Sequence, residues 1–231
     1  MLALAQFDIT IIKFLNGFNR HSPLFDKIVF MVSDDHLLKG GVLMLVLWWL
    51  WFRNDESTRR NREHILVTLI ACFFAILLSR VLTHILPFRP RPLYNESLGL
   101  VRPYGISSTI LEKWSSFPSD HASLFFALST GFFFISSRVG VFSAIYTLLV
   151  ICFPRVYLGL HYPTDILGGA IIGSGIAYLA NMAFITNRVA GRTMPLIQTS
   201  PQFFYPVFFL ITYQIADNFE TSREMVSFLF K

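Results

Sequence analysis

Two histidines and an aspartate lie beside the ends of apolar stretches in this 231-residue chain. His161 and Asp165 are four residues apart, so on a helix they would share one face, a turn from each other. An aspartate in that position can hold one ring nitrogen of the histidine and leave the other free to attack. His121 could then protonate a leaving oxygen. These residue types indicate a group transfer with an oriented histidine as the nucleophile.

Arginines and helix ends near the histidines indicate that the transferred group is an anion. Arg91 and Arg155 carry planar guanidinium groups whose donors match the oxygens of a phosphate. Helices are predicted to begin at Ser119 and near Pro163, and the N–H groups at a helix N-terminus bind anions. Together with the histidines, these groups predict a phosphoryl-transfer site. The alternative for an isolated histidine–aspartate pair is a structural hydrogen bond.

The composition indicates an integral membrane protein. Hydrophobic residues make up 54% of the chain, charged residues only 14%, and the mean hydropathy is +0.55, whereas soluble domains contain about 25% charged residues. The net charge of +5 is not gathered on one surface, so we expect anionic lipid headgroups as partners and no nucleic acid. Cys72 and Cys152 lie in apolar segments, which gives neither a disulfide framework nor a metal-binding spacing.

The apolar pattern predicts an all-α integral membrane bundle of about six transmembrane helices with N-terminal interfacial helices. Residues 1–36 contain two short amphipathic helices, and 37–231 form the membrane domain, whose motif-bearing core is 80–185. The long connection 93–117 is expected to be functional. A full span needs about 20 residues, and the predicted spans are about 37–52, 64–86, 118–136, 141–158, 163–185 and 203–216.

Alternating spans place the candidate residues on one side of the membrane. Arg91 follows the second span, His121 opens the third, Arg155 ends the fourth and His161 precedes the fifth. The opposite side carries a second set of arginines, in the loop 53–62 and at positions 138, 188 and 192. Because cytoplasmic loops are rich in lysine and arginine, the candidate site is predicted to face outward.

Three segments resemble, in order, the signature motifs of a known family. They are Arg91-Pro92, Pro118-Ser119-Asp120-His121, and Arg155 followed at the family's spacing by His161 and Asp165. The family is the type 2 phosphatidic acid phosphatases, membrane lipid phosphate phosphatases of the vanadium haloperoxidase-like superfamily. The match covers roughly residues 80–180, and the ordered triple is far more specific than any one motif alone.

The resemblance implies a role for each matching residue. His161 is the nucleophile and passes through a phosphohistidine, Asp165 orients and activates it, and His121 protonates the leaving group. The phosphate is held by Arg91, Ser119, Arg155 and the backbone N–H of Asp120. The family works without a metal or another cofactor, and we expect none here.

Two positions depart from the family pattern. Asp120 stands where the second motif usually has glycine, a variant familiar in bacterial members. His84 stands where the first motif usually has a lysine, so this part of the phosphate site loses a permanent positive charge. Arg80, one turn earlier, or Arg89 could replace that charge, and His84 and Arg89 are therefore candidate phosphate-binding residues.

The predicted function is hydrolysis of a lipid phosphate or diphosphate, with undecaprenyl or another polyprenyl diphosphate as the first choice. Other family substrates are phosphatidylglycerophosphate or phosphatidate and a lipid A phosphate. A phosphotransferase, in which another lipid captures the phosphohistidine, is a second hypothesis. A non-catalytic lipid-binding or transport protein is a third. The expected location is a bacterial inner membrane with the site on its periplasmic face.

Overall fold

The computed structural model describes residues 2–107 and 111–229. Residues 108–110, part of the predicted connection 93–117, lie outside the described residues. All regular structure in the described part is helical, which confirms the predicted all-α class. In chain order the helices are α1 (Leu2–Asn16), α2 (Pro23–Asp34), α3 (Leu37–Phe52), α4 (Thr58–Ile85), α5 (Asp120–Phe133), α6 (Ser137–Tyr157), α7 (Pro163–Ala180), α8 (Ala183–Thr199), α9 (Pro201–Ala216) and α10 (Glu220–Leu229).

Serine caps and prolines set where the helices around the site begin. The Ser119 hydroxyl accepts a hydrogen bond from the N–H of Ala122 at 3.3 Å and so caps α5. Pro163 and Pro201 open α7 and α9, where the missing proline N–H leaves no hydrogen bond unmade. The helix α4 ends just before Pro87, because proline disfavours helical geometry in the residue that precedes it.

Two helices contain a π-helical segment. Leu37–Gly41 opens α3, and Thr147–Cys152 lies inside α6. In α6 the segment comes just before Pro154, which cannot donate the helical hydrogen bond and crowds the preceding turn. The first segment contains Lys39, and Arg155 directly follows Pro154. The side chains of Lys39 and Arg155 line the pocket described below.

The helix α5 forms the centre of the bundle. It packs against α4, α6 and α7, and its residues are buried on most sides, among them Phe125, Leu128 and Phe132. A helix that is apolar or small all round belongs in the interior. The first turn of α5, which carries His121, is therefore held by neighbours on several sides.

Gly169 and Gly173 let α7 approach α5 closely, as their small-residue spacing predicts. A Cβ on Gly169 would clash with the carbonyl oxygen of Ser119, and one on Gly173 would clash with the carbonyl oxygen of Ser123. Backbone atoms cannot move aside as a flexible side chain can. The two glycines thus bring the start of α7 beside the start of α5.

Replacing Gly173 with alanine is therefore expected to destabilise the protein by about 1–3 kcal/mol, the usual cost of overpacking. The matched control is Gly175→Ala in the same helix, since a Cβ there meets nothing within 4 Å. This control should be neutral or stabilising by up to about 1 kcal/mol, because alanine is the better helix former. Thermal unfolding in detergent measures both changes, and equal effects would contradict the packing account.

The described helices differ in length from the predicted spans. By length and composition, α4 and α6 can cross a membrane, and the pair α7 and α8, bent by 69°, would make a third span if counted as one. Three predicted spans are shorter, with 16 residues in α3, 14 in α5 and 16 in α9. Such helices reach about 21 to 24 Å, against about 30 Å of hydrocarbon core. The count of six is therefore not confirmed.

The N-terminal helices pack against the bundle near the site. Asp8 of α1 is buried and accepts hydrogen bonds from the N–H and hydroxyl of Thr164 at the start of α7, both at or below 2.9 Å. Asp26 of α2 is also buried and accepts a hydrogen bond from the Tyr157 hydroxyl at 2.6 Å. The helix α1 thus fixes the start of α7, and α2 fixes the end of α6.

Candidate active site

A polar pocket lies where α4 and α6 end and α5 begins, with walls from α2, α3, α10 and the connection after α4. Its lining is dense in ionisable groups of both signs. The cations outnumber the carboxylates by five to three, and both motif histidines are present. The ionisable lining residues are Lys39, Arg80, Arg91, Arg155 and Arg223, then His121 and His161, then Asp34, Asp120 and Glu220.

His161 lies in the turn between α6 and α7, with one ring nitrogen held and the other directed to an arginine. Its Nδ1 lies 2.9 Å from the carbonyl oxygen of Ser116, which can only accept, so Nδ1 carries the proton. Its Nε2 lies 3.2 Å from Nη1 of Arg91, which can only donate. The lone pair is therefore on Nε2, the tautomer that a nucleophile needs.

The turn before α7 is short because Gly159 adopts a positive φ of 69°, a conformation that glycine takes without strain. The N–H groups of Leu160 and His161 both donate to the carbonyl oxygen of Arg155, at 2.9 and 3.2 Å. This backbone arrangement fixes His161 relative to Arg155.

Burial lowers the pKa of His161 below its ordinary value of 6.5, and the nearby positive charge of Arg91 lowers it further. The carboxylate of Asp165 opposes these two effects. The ring therefore stays neutral at neutral pH. A neutral imidazole is the form that can attack phosphorus.

Asp165 contacts His161 less directly than its spacing predicts. Its Oδ2 lies 3.6 Å from Nδ1 of His161, beyond hydrogen-bonding distance, and accepts a hydrogen bond from the N–H of Tyr162 at 2.8 Å. The carbonyl of Ser116 takes the Nδ1 hydrogen bond instead. In this structure the carboxylate acts on the ring through its charge, as well as by fixing the start of α7.

Arg89 binds two buried carboxylates. Its Nη1 donates to Oδ1 of Asp165 at 2.5 Å, and its Nη2 donates to Oδ2 of Asp8 at 2.7 Å. The guanidinium also lies 4.0 Å from the centre of the Tyr162 ring. Arg89 is absent from the pocket lining among the described residues, so the structure does not support its predicted contact with phosphate.

His121, in the first turn of α5, is held between a carboxylate and an arginine. Its Nδ1 lies 2.8 Å from Oδ1 of Asp120, and its Nε2 lies 2.6 Å from Nη2 of Arg155. The first partner accepts and the second donates, so the proton is on Nδ1 and the lone pair on Nε2. The side-chain amide of Asn218 lies 3.1 Å from Nε2. Nε2 of His121 is therefore the ring nitrogen that contacts an arginine of the pocket.

Arg91 spans the base of the pocket and fixes the connection after α4. Its guanidinium donates to the carbonyl oxygens of Leu160 at 2.8 Å and Trp114 at 3.2 Å, beside its contact with His161. Burial lowers the pKa of Arg91 to about 10, so the group stays charged at neutral pH. Arg91 and Arg155 thus lie beside the two histidines, as their motifs predict.

Two other predicted phosphate ligands lie apart from the pocket lining. Ser119 is fully buried, and its hydroxyl caps α5. His84 is exposed, with its ring 6.0 Å from that of Trp114. Among the described residues neither lines the pocket. The reason in each case is local, since the Ser119 hydroxyl is occupied as a cap and the His84 side chain is exposed beside Trp114.

Sequence reasoning missed several residues of the site. Lys39, Asn218 and Arg223 enter the pocket region from α3 and the chain around α10, far in sequence from the motifs. Only Lys39 had a usable signal, because a lysine inside an apolar stretch suggests a functional group. The carbonyl of Ser116 had none, since a backbone acceptor is invisible in residue types.

Part of the chain matches the model of a known protein family. Residues 79–188 match the model of the PAP2 superfamily, which includes all three motifs. The resemblance predicted from the motifs is therefore confirmed over this part of the chain.

Two curated relatives are similar to this chain over most of its length. It is 27% identical over 169 residues to undecaprenyl-diphosphatase BcrC of Bacillus subtilis (strain 168), covering 73% of this chain and 80% of that protein. It is also 27% identical over 171 residues to the putative undecaprenyl-diphosphatase YbjG of Escherichia coli (strain K12), covering 74% and 79%.

A solved structure has a similar fold. It is the crystal structure of the first transmembrane PAP2 type phosphatidylglycerolphosphate phosphatase from Bacillus subtilis, with a TM-score of 0.51 over 78% of this chain and 85% of that one. The sequences are 22% identical. At that level the likeness shows the fold alone.

Proposed function

We propose that this protein is a membrane lipid phosphatase that hydrolyses a polyprenyl diphosphate, with undecaprenyl diphosphate as the first choice. The observation that carries the proposal is one pocket holding two neutral histidines, each with its Nε2 lone pair beside an arginine. The PAP2 motifs assign phosphoryl transfer to such a pair. The names of the two curated relatives favour the diphosphate over the other family substrates.

In the proposed reaction Nε2 of His161 attacks the terminal phosphorus, and Arg91 and Arg155 bind its oxygens. Charge develops on these oxygens in the transition state, where pre-positioned guanidinium donors stabilise it most. His121, whose Nε2 contacts Arg155, takes up a proton from water at Nε2 and donates it to the leaving oxygen. Water then hydrolyses the phosphohistidine and releases inorganic phosphate, and its proton returns to Nε2 of His121. Asp165 keeps His161 basic by its charge.

We also propose how the chain lies in the membrane. The helices α3, α4, α5, α6, α7 and α9 form the six spans of the membrane domain 37–231, and α1 and α2 form the interfacial segment 1–36. The support is that the ends of α4 and α6 meet the starts of α5 and α7 at one pocket. The arginine-rich loops then face the cytoplasm, and the site faces the periplasm of a bacterial inner membrane.

Phosphate release from a panel of lipids tests the function. The panel contains undecaprenyl diphosphate, phosphatidylglycerophosphate, phosphatidate and a lipid A phosphate, and we expect the highest kcat/KM with the first. Phosphorus NMR of the lipid products is recorded alongside. Transfer of the phosphoryl group to another lipid without free phosphate would show a phosphotransferase. No turnover of any lipid would contradict the enzyme and favour a binding or transport role.

A further inference from the structure

Three cations besides Arg91 and Arg155 line the pocket. Lys39, Arg80 and Arg223 come from three different helices, and we call them the second cation cluster. Lys39 is buried, with 2% of its side chain exposed, and its Nζ lies 3.4 Å from Oε2 of Glu220. Placing a lysine and two arginines together in a partly buried site is unfavourable unless an anion binds there.

Several donors in this pocket have no acceptor. The Nε groups of Arg80, Arg155 and Arg223 are buried and have no hydrogen-bond partner among the described residues. Arg155 as a whole is only 6% exposed. Buried donors in native proteins are nearly always paired, so three unpaired ones around one pocket indicate an acceptor-rich ligand. A single phosphate between Arg91 and Arg155 would leave those of Arg80 and Arg223 unused.

The contacts place the second cation cluster beyond His121 as seen from His161. Arg91 contacts His161 at 3.2 Å, Arg155 contacts His121 at 2.6 Å, and Asp120, the neighbour of His121, lies 3.9 Å from Arg80. The contacts thus run from the nucleophile through the proton donor to Arg80, whose Nη2 also donates to the carbonyl oxygen of Asn218 at 2.8 Å. A leaving phosphate that receives its proton from His121 would therefore lie beside this cluster.

An apolar groove runs along the face of α4 that also carries Arg80. Leu66, Phe73 and Arg80 are spaced by seven residues and so share one face of α4. Leu66 and Phe73 line the groove, whereas Arg80 lines the pocket. Phe219 closes the junction, with its ring 6.1 Å from that of Phe73. A lipid whose phosphate lies at Arg80 would have its hydrocarbon chain in this groove.

We propose that Lys39, Arg80 and Arg223 bind the lipid-linked phosphate of a diphosphate substrate, the phosphate that leaves. This inference rests on the proposed function and assigns residues that none of the family motifs contains. Nε2 of His161 forms a bond to the terminal phosphorus while the bond from that phosphorus to the bridging oxygen breaks. The electron pair stays on the bridging oxygen, now part of the lipid monophosphate, and the cluster balances its new charge.

The carboxylates of the pocket fit this assignment. Glu220 pairs with Lys39 in the structure, but its side chain is 40% exposed, so it can turn to solvent when a phosphate takes its place. Asp120 is engaged by His121 through a 2.8 Å contact. Asp34 also lines the pocket, which leaves five cations against three carboxylates when no substrate is bound.

The test compares two substrates that differ only in the second phosphate: a polyprenyl diphosphate and the monophosphate of the same prenol. A monophosphate must bind at His161 to react, so it does not need the cluster. Arg223→Gln and Lys39→Gln should each lower kcat/KM for the diphosphate by about 10–100-fold, the usual effect of losing a hydrogen bond to a charged group. The loss for the monophosphate should stay within about threefold.

Arg138→Gln is the matched control, because Arg138 is exposed and belongs to no wall of the pocket among the described residues. It should change neither rate. If the Arg223 and Lys39 variants lost kcat/KM equally on both substrates, or on neither, the role of the second cation cluster would be overturned. The phosphatase proposal would remain intact.

A binding measurement separates failure of this inference from failure of the proposed function. Methylenediphosphonate, a diphosphate analogue that cannot be hydrolysed, is titrated into the detergent-solubilised protein by calorimetry and compared with inorganic phosphate. The parent should bind the analogue at least about tenfold more tightly than phosphate, and Arg223→Gln should remove that preference. Equal affinity of the parent for both ligands would overturn the cluster even if the protein hydrolysed no lipid.

Discussion

Replacing His161 with alanine is expected to lower phosphate release from undecaprenyl diphosphate by at least about 10⁴-fold, the scale of losing a catalytic nucleophile. The reason is that Nε2 of His161 carries the lone pair beside Arg91, whereas the other imidazole lining the pocket, His121, has its Nε2 against Arg155. Without His161 no side chain at this position can form the covalent intermediate. Initial rates with parent and variant in the same detergent measure the change.

His84→Ala is the control for the loss of a histidine near the site. His84 is exposed, and its removal should leave the rate within about threefold of the parent. His161→Gln is made as well, because the glutamine side chain can keep a hydrogen bond to the carbonyl oxygen of Ser116. This variant separates the loss of the nucleophile from a loss of folding. If either His161 variant kept a tenth of the parent rate, His161 would not be the nucleophile.

Replacing Arg89 with glutamine is expected to lower the free energy of unfolding by about 3–5 kcal/mol, the cost of breaking a buried ion pair from one side. Asp8 and Asp165 are 2% and 0% exposed, and Arg89 is the cation that both carboxylates contact. Without it, two negative charges lie close together and away from water. Unfolding in detergent with increasing denaturant measures the loss.

The double variant Arg89→Gln with Asp8→Asn provides the sharper comparison, because it removes one of the two stranded charges. It should regain at least about 1 kcal/mol over the single variant, the coupling expected between groups in contact. Arg59→Gln is the matched surface control, since the pair of Arg59 with Glu63 is exposed and worth about 0.5 kcal/mol or less. No recovery in the double variant would contradict the shared role of Arg89.

The sequence was sufficient to predict that four of the pocket's side chains meet. Arg91, His121, Arg155 and His161 lie at the ends of four consecutive apolar stretches, and alternating helices must bring such ends to one side. The spacing of Gly169 and Gly173 also predicted close helix packing by α7, and the structure shows that its partner is α5. These features depend on periodicity and chain direction, which a sequence carries directly.

The partners of the site residues could not be predicted in the same way. Spacing on a helix assigned Asp165 to Nδ1 of His161, but α7 begins at Pro163 and places His161 in the turn before the helix. The backbone of Ser116 then occupies the hydrogen-bonding position. The sequence could not decide which group Arg89 binds, because its partner Asp8 lies in α1, 81 residues away. Such contacts depend on the tertiary path.

Helix length was the other feature that the sequence predicted poorly. Apolar composition extended the third span to about residue 136, whereas α5 ends at Phe133. The N–H groups of Ile135 and Ser136 both donate to the carbonyl oxygen of Phe132 and form the turn into α6. The cations of the pocket outside the motifs could not be placed from the sequence either. The structure brings Lys39 to the pocket from α3, after a chain reversal that no local pattern indicates.

Trapping the phosphoenzyme tests the central claim most directly. The parent protein is mixed with polyprenyl diphosphate labelled in its terminal phosphate, quenched in alkali within milliseconds, digested, and the labelled peptide is sequenced by mass spectrometry. We predict an alkali-stable, acid-labile phosphoryl group on His161, absent from the His161→Ala variant. Phosphate release without any labelled histidine, or with the label on His121, would contradict the account.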